Sequence, residues 1–279
     1  MAFMPLLACY SQARADGLDN QVPSCYAANH IQPLSPVYDK LLVVLVDQTV
    51  LLDKNLQQQV LQSIHTLVQP GTRYVIADFS AFSQGRYLNI LASGIAETMM
   101  TTDQLNNIPI DAVGGFKRCM SDQLAYAQFQ AEKATYQAMK GASSSLDQSD
   151  ILMTMKDISA PIQQSKATEK ILLAVTDGLE YSSVTSFYAH NTARNINPAV
   201  EMKKVDANNL IGNFGGARVY VIGGADEPPA TSGTQAERDG YRDPQMQMHL
   251  KEFWQDYFTA SNAQLIQFGE PGLLSLPSW

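Results

Sequence analysis

Two aspartates carry the chemistry that is easiest to read in this chain. The apolar runs Leu41-Leu42-Val43-Val44-Leu45-Val46 and Ile171-Leu172-Leu173-Ala174-Val175 both end at an acid, Asp47 directly and Asp177 after Thr176. Unbroken apolar runs of this length fit strands buried on both faces of a parallel sheet. Ligands of open α/β sheets bind beyond the carboxyl ends of such strands, where the winding direction reverses. If the two strands are neighbours there, two carboxylates meet at one rim, which is unfavourable unless a cation lies between them. The competing expectation is that Asp47 and Asp177 cap turns and helix starts with no metal. Asp78, in Ala77-Asp78-Phe79-Ser80, either adds a third acid to this rim or is simply a polar strand end.

Other chemistries lack their residues. His30, His65, His190 and His249 are scattered, and none has metal-ligand spacing or an obvious nucleophile beside it. There is no Gly-x-Ser-x-Gly elbow, no phosphate-binding Gly-Lys loop and no Gly-x-Gly-x-x-Gly after the first strand. The pairs Gly114-Gly115, Gly215-Gly216 and Gly223-Gly224 read as turns. The net charge of −8 and the absence of a basic stripe exclude a nucleic-acid partner, since Lys117-Arg118 and Lys203-Lys204 are the only adjacent basic pairs.

The elements that must position the aspartates follow from periodicity. Leu56, Val60, Ile64 and Leu67 recur at helical spacing behind an Asp53 N-cap and before Pro70-Gly71. Arg73 to Phe79 and Tyr87 to Ala92 read as strands joined by Ser83-Gln84-Gly85, too close for a helix between them and therefore antiparallel. A helix is expected from about Ser121, its cap, to Lys140, with Gly141 after its end, and another from near Ser149 to Ile158. Irregular, partly helical sequence leads to the strand Arg218-Val219-Tyr220-Val221-Ile222, and a polar loop runs from Asp226 to Asp243. The last helix carries Leu250, Phe253, Trp254 and Tyr257 as a core stripe, with Phe258 partly off it as a candidate surface contact. A short strand, Gln264 to Phe268, precedes the tail.

The expected order is β-α-β-β-α-α-β-α-β-α-β. This is an α/β fold: a doubly wound, mostly parallel six-stranded sheet with one antiparallel edge strand and helices on both faces. Residues 1–38 form a leader and a polar tether or arm, 39–270 the domain, and 271–279 a Pro- and Gly-rich tail.

The order of elements, with Val46-Asp47-Gln48-Thr49 after the first strand and Val175-Thr176-Asp177-Gly178 after the fourth, resembles a von Willebrand factor A domain over about residues 39–270. The resemblance implies a metal-ion-dependent adhesion site, Asp-x-Ser-x-Ser with a later Thr and a distal Asp, holding Mg²⁺ that a partner protein's carboxylate completes. On that pattern Asp47 is the first acid, Thr49 the first hydroxyl, Asp177 the distal acid, and Ser149 the loop hydroxyl, with Ser144 or Ser145 as the other possibility. Leu51 stands where the second serine belongs and cannot ligate a hard cation.

The N-terminus bears on location. Leu6-Leu7-Ala8-Cys9 resembles the lipobox of bacterial lipoproteins, in which Cys9 becomes lipidated. If Cys9 carries lipid, Cys25 and Cys119 remain as one possible disulfide pair, which suits export. The alternative is an apolar N-terminus with three reduced thiols in a cytoplasmic protein. No Cys/His spacing suits zinc.

These expectations combine into a non-enzymatic protein–protein interaction module of the bacterial cell envelope, a periplasmic lipoprotein attached to the membrane only through its anchor, with a partial Mg²⁺ site. A metal-free structural subunit of an envelope machine, such as a secretion or conjugation apparatus, is the rival expectation. Metal-assisted hydrolysis ranks below both, because Lys54 and Lys156 are the only cations near the motifs.

Overall fold

The computed structural model describes residues 20–34, 36–80, 88–143, 149–189, 192–226 and 243–279. Cys9, Ser144, Ser145, Tyr87 and the turn at 83–85 lie outside the described residues.

Six strands form one sheet: β1 Lys40–Asp47, β2 Thr72–Phe79, β3 Leu88–Ala96, β4 Glu169–Val175, β7 Ala217–Ile222 and β8 Ala263–Phe268. A separate two-stranded hairpin pairs β5 Tyr188–Ala189 with β6 Thr192–Ala193. The sheet order is β3-β2-β1-β4-β7-β8. All neighbours are parallel except β2 and β3, the antiparallel edge pair expected from their close spacing. The strands β1 and β4 are adjacent at the centre, in register from Lys40 opposite Glu169 to Val46 opposite Val175. The winding direction reverses between them.

Alternation along β1 divides the core. Leu41, Val43 and Leu45 face α5 Ile151–Gln164, α6 Pro198–Ala207 and α7 Pro244–Ala260. Leu42, Val44 and Val46 face α2 Lys54–Leu67 and α4 Ile110–Gly141. The helix α2 starts where expected: the Asp53 side chain accepts from the Leu56 amide. The stripe of α7 is buried as expected, but Phe258 is buried with it at 1% exposure. It packs against Phe214, Trp254 and Tyr257 and is not a surface contact.

The largest departure is α4. It begins at Ile110, about three turns before the expected start at Ser121, has Pro109 as its cap residue, and includes Gly141, expected to follow its end, as its last residue. Gly114 and Gly115 are helical rather than turn-forming. The reason is tertiary: Phe116 and Met120 pack in a third small cluster with Cys25, Tyr26, Met100 and Leu105. That cluster joins α1 Cys25–Ala28 and α3 Thr102–Leu105 to the added turns of α4. Packing of this kind overrides the roughly 1 kcal/mol per glycine of helix propensity. Farther along, Ala127, Ala131, Ala134 and Ala138 form the buried stripe that lets α4 lie close on the sheet. The last helical stretch before β4, α5, also runs longer than expected, to Gln164, with Pro161 inside its final turn.

The arm preceding β1 lies across the β3 edge. The Gln21 amide donates to the Ser93 carbonyl, and the Ile95 amide donates to Asn20 Oδ1. Cys25 and Cys119 form a disulfide that joins the arm to α4. At the other end of the chain, the tail returns over α2. Gln59 donates to the Leu273 carbonyl and accepts from the Leu273 amide, and Trp279 Nε1 donates to the Leu67 carbonyl.

Candidate functional site

The rim at the ends of β1 and β4 is built around Asp47, which is 1% exposed. Its Oδ1 accepts from the Thr49 amide at 3.0 Å and the Thr49 hydroxyl at 2.7 Å. Its Oδ2 accepts from the Ser149 and Thr176 hydroxyls, both at 2.8 Å. The carboxylate thus fixes its own turn through a bond to the residue two ahead, and ties together β1, the segment before α5 and the end of β4. Burial pushes the Asp47 carboxyl up, against the pull of the Thr49, Thr176 and Ser149 bonds.

Asp177 repeats the local part of this arrangement. Its Oδ1 accepts from the Leu179 amide at 2.8 Å, and its Oδ2 from the Tyr188 hydroxyl at 3.3 Å. Gly178 follows with φ +73°, a conformation open to glycine, and its carbonyl accepts from Trp254 Nε1 at 2.9 Å. A Cβ there would stand 2.8 Å from that indole nitrogen. The glycine therefore sets the direction in which the chain leaves β4. The Tyr181 and Tyr188 rings lie 6.0 Å apart beside this turn, and the Tyr181 amide donates to the Ser149 carbonyl.

Of the residues singled out in the sequence, Asp47, Thr49 and Ser149 are in direct contact, and Asp177 lies on the adjacent strand end. Ser149 does not cap α5; Asp150 does, accepting from the Met153 amide, because Ser149 is bonded to Asp47 instead. Leu51 is 59% exposed and contributes no oxygen. Asp78 lies within β2, opposite Val46. Thr176 is the contact the sequence reading missed. Its signal was a hydroxyl placed between an apolar strand and its terminal aspartate.

Glu180, three residues beyond Asp177, is fully buried and its Oε2 accepts from the Leu152 amide at the start of α5. Burial pushes its carboxyl up to about 8, helped by the Asp150 charge and opposed by bonds from Ser182 and the α5 amides. Among the described residues, no group of three or more His, Cys, Asp or Glu side chains is placed to hold a metal. The rim instead offers two carboxylates, Asp47 and Asp177, with the hydroxyls of Thr49, Ser149 and Thr176 on Asp47. No helix among the described residues is long and apolar enough to cross a membrane.

No family model matches this sequence, and no curated protein matches it. Similar solved structures include proximal thread matrix protein 1 from the mussel byssus, at 14% identity and a TM-score of 0.30. That likeness covers 66% of this chain, which spans only 38% of the byssus protein. An aerotolerance-related membrane protein from Bacteroides fragilis is 11% identical over 82% of this chain and 91% of its own, with a TM-score of 0.33. The N-terminal domain of TFIIH p34 is 9% identical over 85% of this chain and 95% of its own, with a TM-score of 0.35. The mostly parallel α/β sheet is compatible with a von Willebrand factor A-like fold.

Proposed function

We propose that this chain is a von Willebrand factor A-like, non-enzymatic protein-binding module of the bacterial cell envelope, with a partial Mg²⁺ site at the β1/β4 rim. The observation that carries the reading is the gathering of hydroxyls from three segments onto Asp47. A hydroxyl that donates to a carboxylate keeps its lone pairs for a cation. The donor set is all oxygen, which suits a hard ion that also retains several waters. Thr49 and Ser149 would ligate, with Asp47 and Asp177 acting directly or through water. The bound ion would supply an attachment point for a carboxylate of the partner protein. Leu51 removes one ligand and makes the site weak. The Cys25–Cys119 disulfide supports an oxidising compartment, and lipidation at Cys9 would anchor the module there.

One observation favours a metal-free structural subunit as the second reading. Both carboxylates already have hydrogen-bond donors within the protein, so neither needs an ion to remain buried. Calorimetric titration of Mg²⁺ and Mn²⁺ into the full chain separates the two. The metal reading expects saturable binding that Asp47→Ala abolishes, and that Leu51→Ser tightens about tenfold by restoring the missing hydroxyl. Because Leu51 is exposed, that substitution leaves the core intact. Absence of saturable heat in both the natural chain and Leu51→Ser would leave the metal-free subunit as the function.

A further inference from the structure

Cys25 and Tyr26 of the arm pack with α3 and the added turns of α4, while Val22 is buried in the core shared by β1, β2 and α4. The cluster of Cys25, Tyr26, Met100, Leu105, Phe116 and Met120 is separate from the two cores that flank the sheet. Units of this kind open as a whole while the rest of a fold stays closed.

Besides the Tyr26 hydroxyl, which donates to the Thr98 carbonyl, and Gln123 Nε2, which donates to the Pro23 carbonyl, three further fastenings hold the arm down. The first is the Cys25–Cys119 bond, which spans 94 positions of sequence. The second is Glu97, 6% exposed, whose carboxylate accepts from the Ser24 hydroxyl, the Cys25 amide and Gln123 Nε2. The third is the edge pairing, Gln21 amide to Ser93 carbonyl and Ile95 amide to Asn20 Oδ1, each 3.0 Å. One feature opposes them. Tyr74 is fully buried and, among the described residues, its hydroxyl has no hydrogen-bond partner. Val22 and the Tyr74 hydroxyl crowd the same point above Gly94, where a Cβ would stand 2.5 Å from each. A buried hydroxyl without a partner is unfavourable, and Val22 of the arm is one of the groups that crowd it. The docked arm is therefore held against an opposing term, and only one of its fastenings is covalent.

We propose that the Cys25–Cys119 disulfide is a redox latch: intact, it keeps the arm on the outer edge of β3, and reduced, it frees the arm and bares the Ser93 carbonyl and Ile95 amide. The reductant is a dithiol. Cys25 is buried and Cys119 is partly exposed, so the incoming thiolate attacks Cys119 Sγ. A mixed disulfide forms there and the Cys25 sulfur leaves as a thiolate. The reductant's second thiolate then attacks its own sulfur in the mixed disulfide and releases Cys119. The reductant ends as a disulfide, and the protein gains two electrons and two protons as two thiols. The bared edge groups are then open to pairing with another strand. This inference does not depend on the metal site.

Amide hydrogen exchange on the full chain tests it, before and after treatment with dithiothreitol, with thiol titration to follow reduction. The expected result is that exchange at Gln21, Cys25 and Ile95 speeds up by about tenfold or more, while Val44 in β1 and Leu173 in β4 are unchanged. Reoxidation should restore the slow rates. The Cys25→Ser/Cys119→Ser double variant should match the reduced protein, and reduction of the natural chain gives the answer if that variant does not fold. The proposal is overturned if Gln21 and Ile95 stay slow after reduction, if Val44 and Leu173 accelerate along with them, or if the bond resists reduction while the protein is folded.

Discussion

Glu180 shows how burial changes a single residue. Its carboxyl titrates at about 8 in the fold, against an ordinary value of 4.5. Between those values the folded state holds a proton that the unfolded chain has lost. Stability contributed by this group is complete below about pH 4.5 and is lost as pH rises toward 8. Glu180→Gln mimics the protonated form and should flatten the fall in thermal midpoint between about pH 5 and pH 8, standing above the natural chain at the upper end. Parallel midpoint curves for the two proteins would show that Glu180 ionises freely in the fold. Nothing in the sequence marks Glu180, since its burial depends on α5 closing over it. Asp47 and Asp177, by contrast, were legible because each follows an apolar run. Thr176 was not, because only the approach of β4 to β1 turns its hydroxyl into a partner for Asp47.

Among the elements, the strands and the α7 stripe were legible from periodicity, while the start of α4 was not. Its first turns contain Gly114 and Gly115, which argue locally against a helix. They are held by Phe116, Met120 and the Cys119 bond, through contacts with Met100 and Leu105 and with Cys25 and Tyr26 some 90 positions earlier. The later part of α4 depends on small side chains. Ala131 is fully buried in the stripe facing the sheet. Ala131→Leu should lower stability by about 1–3 kcal/mol through overpacking, read as a lower urea midpoint with an unchanged slope. A neutral result would mean that α4 rides higher on the sheet than its alanines suggest.

At the scale of the whole molecule, the described residues before β1 and after β8 both fold back over the domain. The arm covers part of the β3 edge, and the tail crosses α2. Gln59 pairs with both backbone groups of Leu273, 214 positions away, as a neighbouring strand would. Gln59→Ala leaves that amide and carbonyl without their partner and should cost about 1–3 kcal/mol in equilibrium unfolding. If only the tail frays, exchange at Leu273 will rise with no change in the global midpoint. That result would mark the tail as an appendage rather than part of the cooperative unit.

The sheet order also governs how the protein comes into being on the ribosome. The strands β1, β2 and β3 emerge first and can pair, but the second neighbour of β1 is β4, which follows only after α4 and α5. Throughout that interval the nascent chain carries the most apolar strand of the protein with one side unoccupied. An uncovered strand of this kind invites pairing with other chains. The moment of greatest exposure thus falls midway through synthesis, and it ends when Leu172 arrives beside Val43.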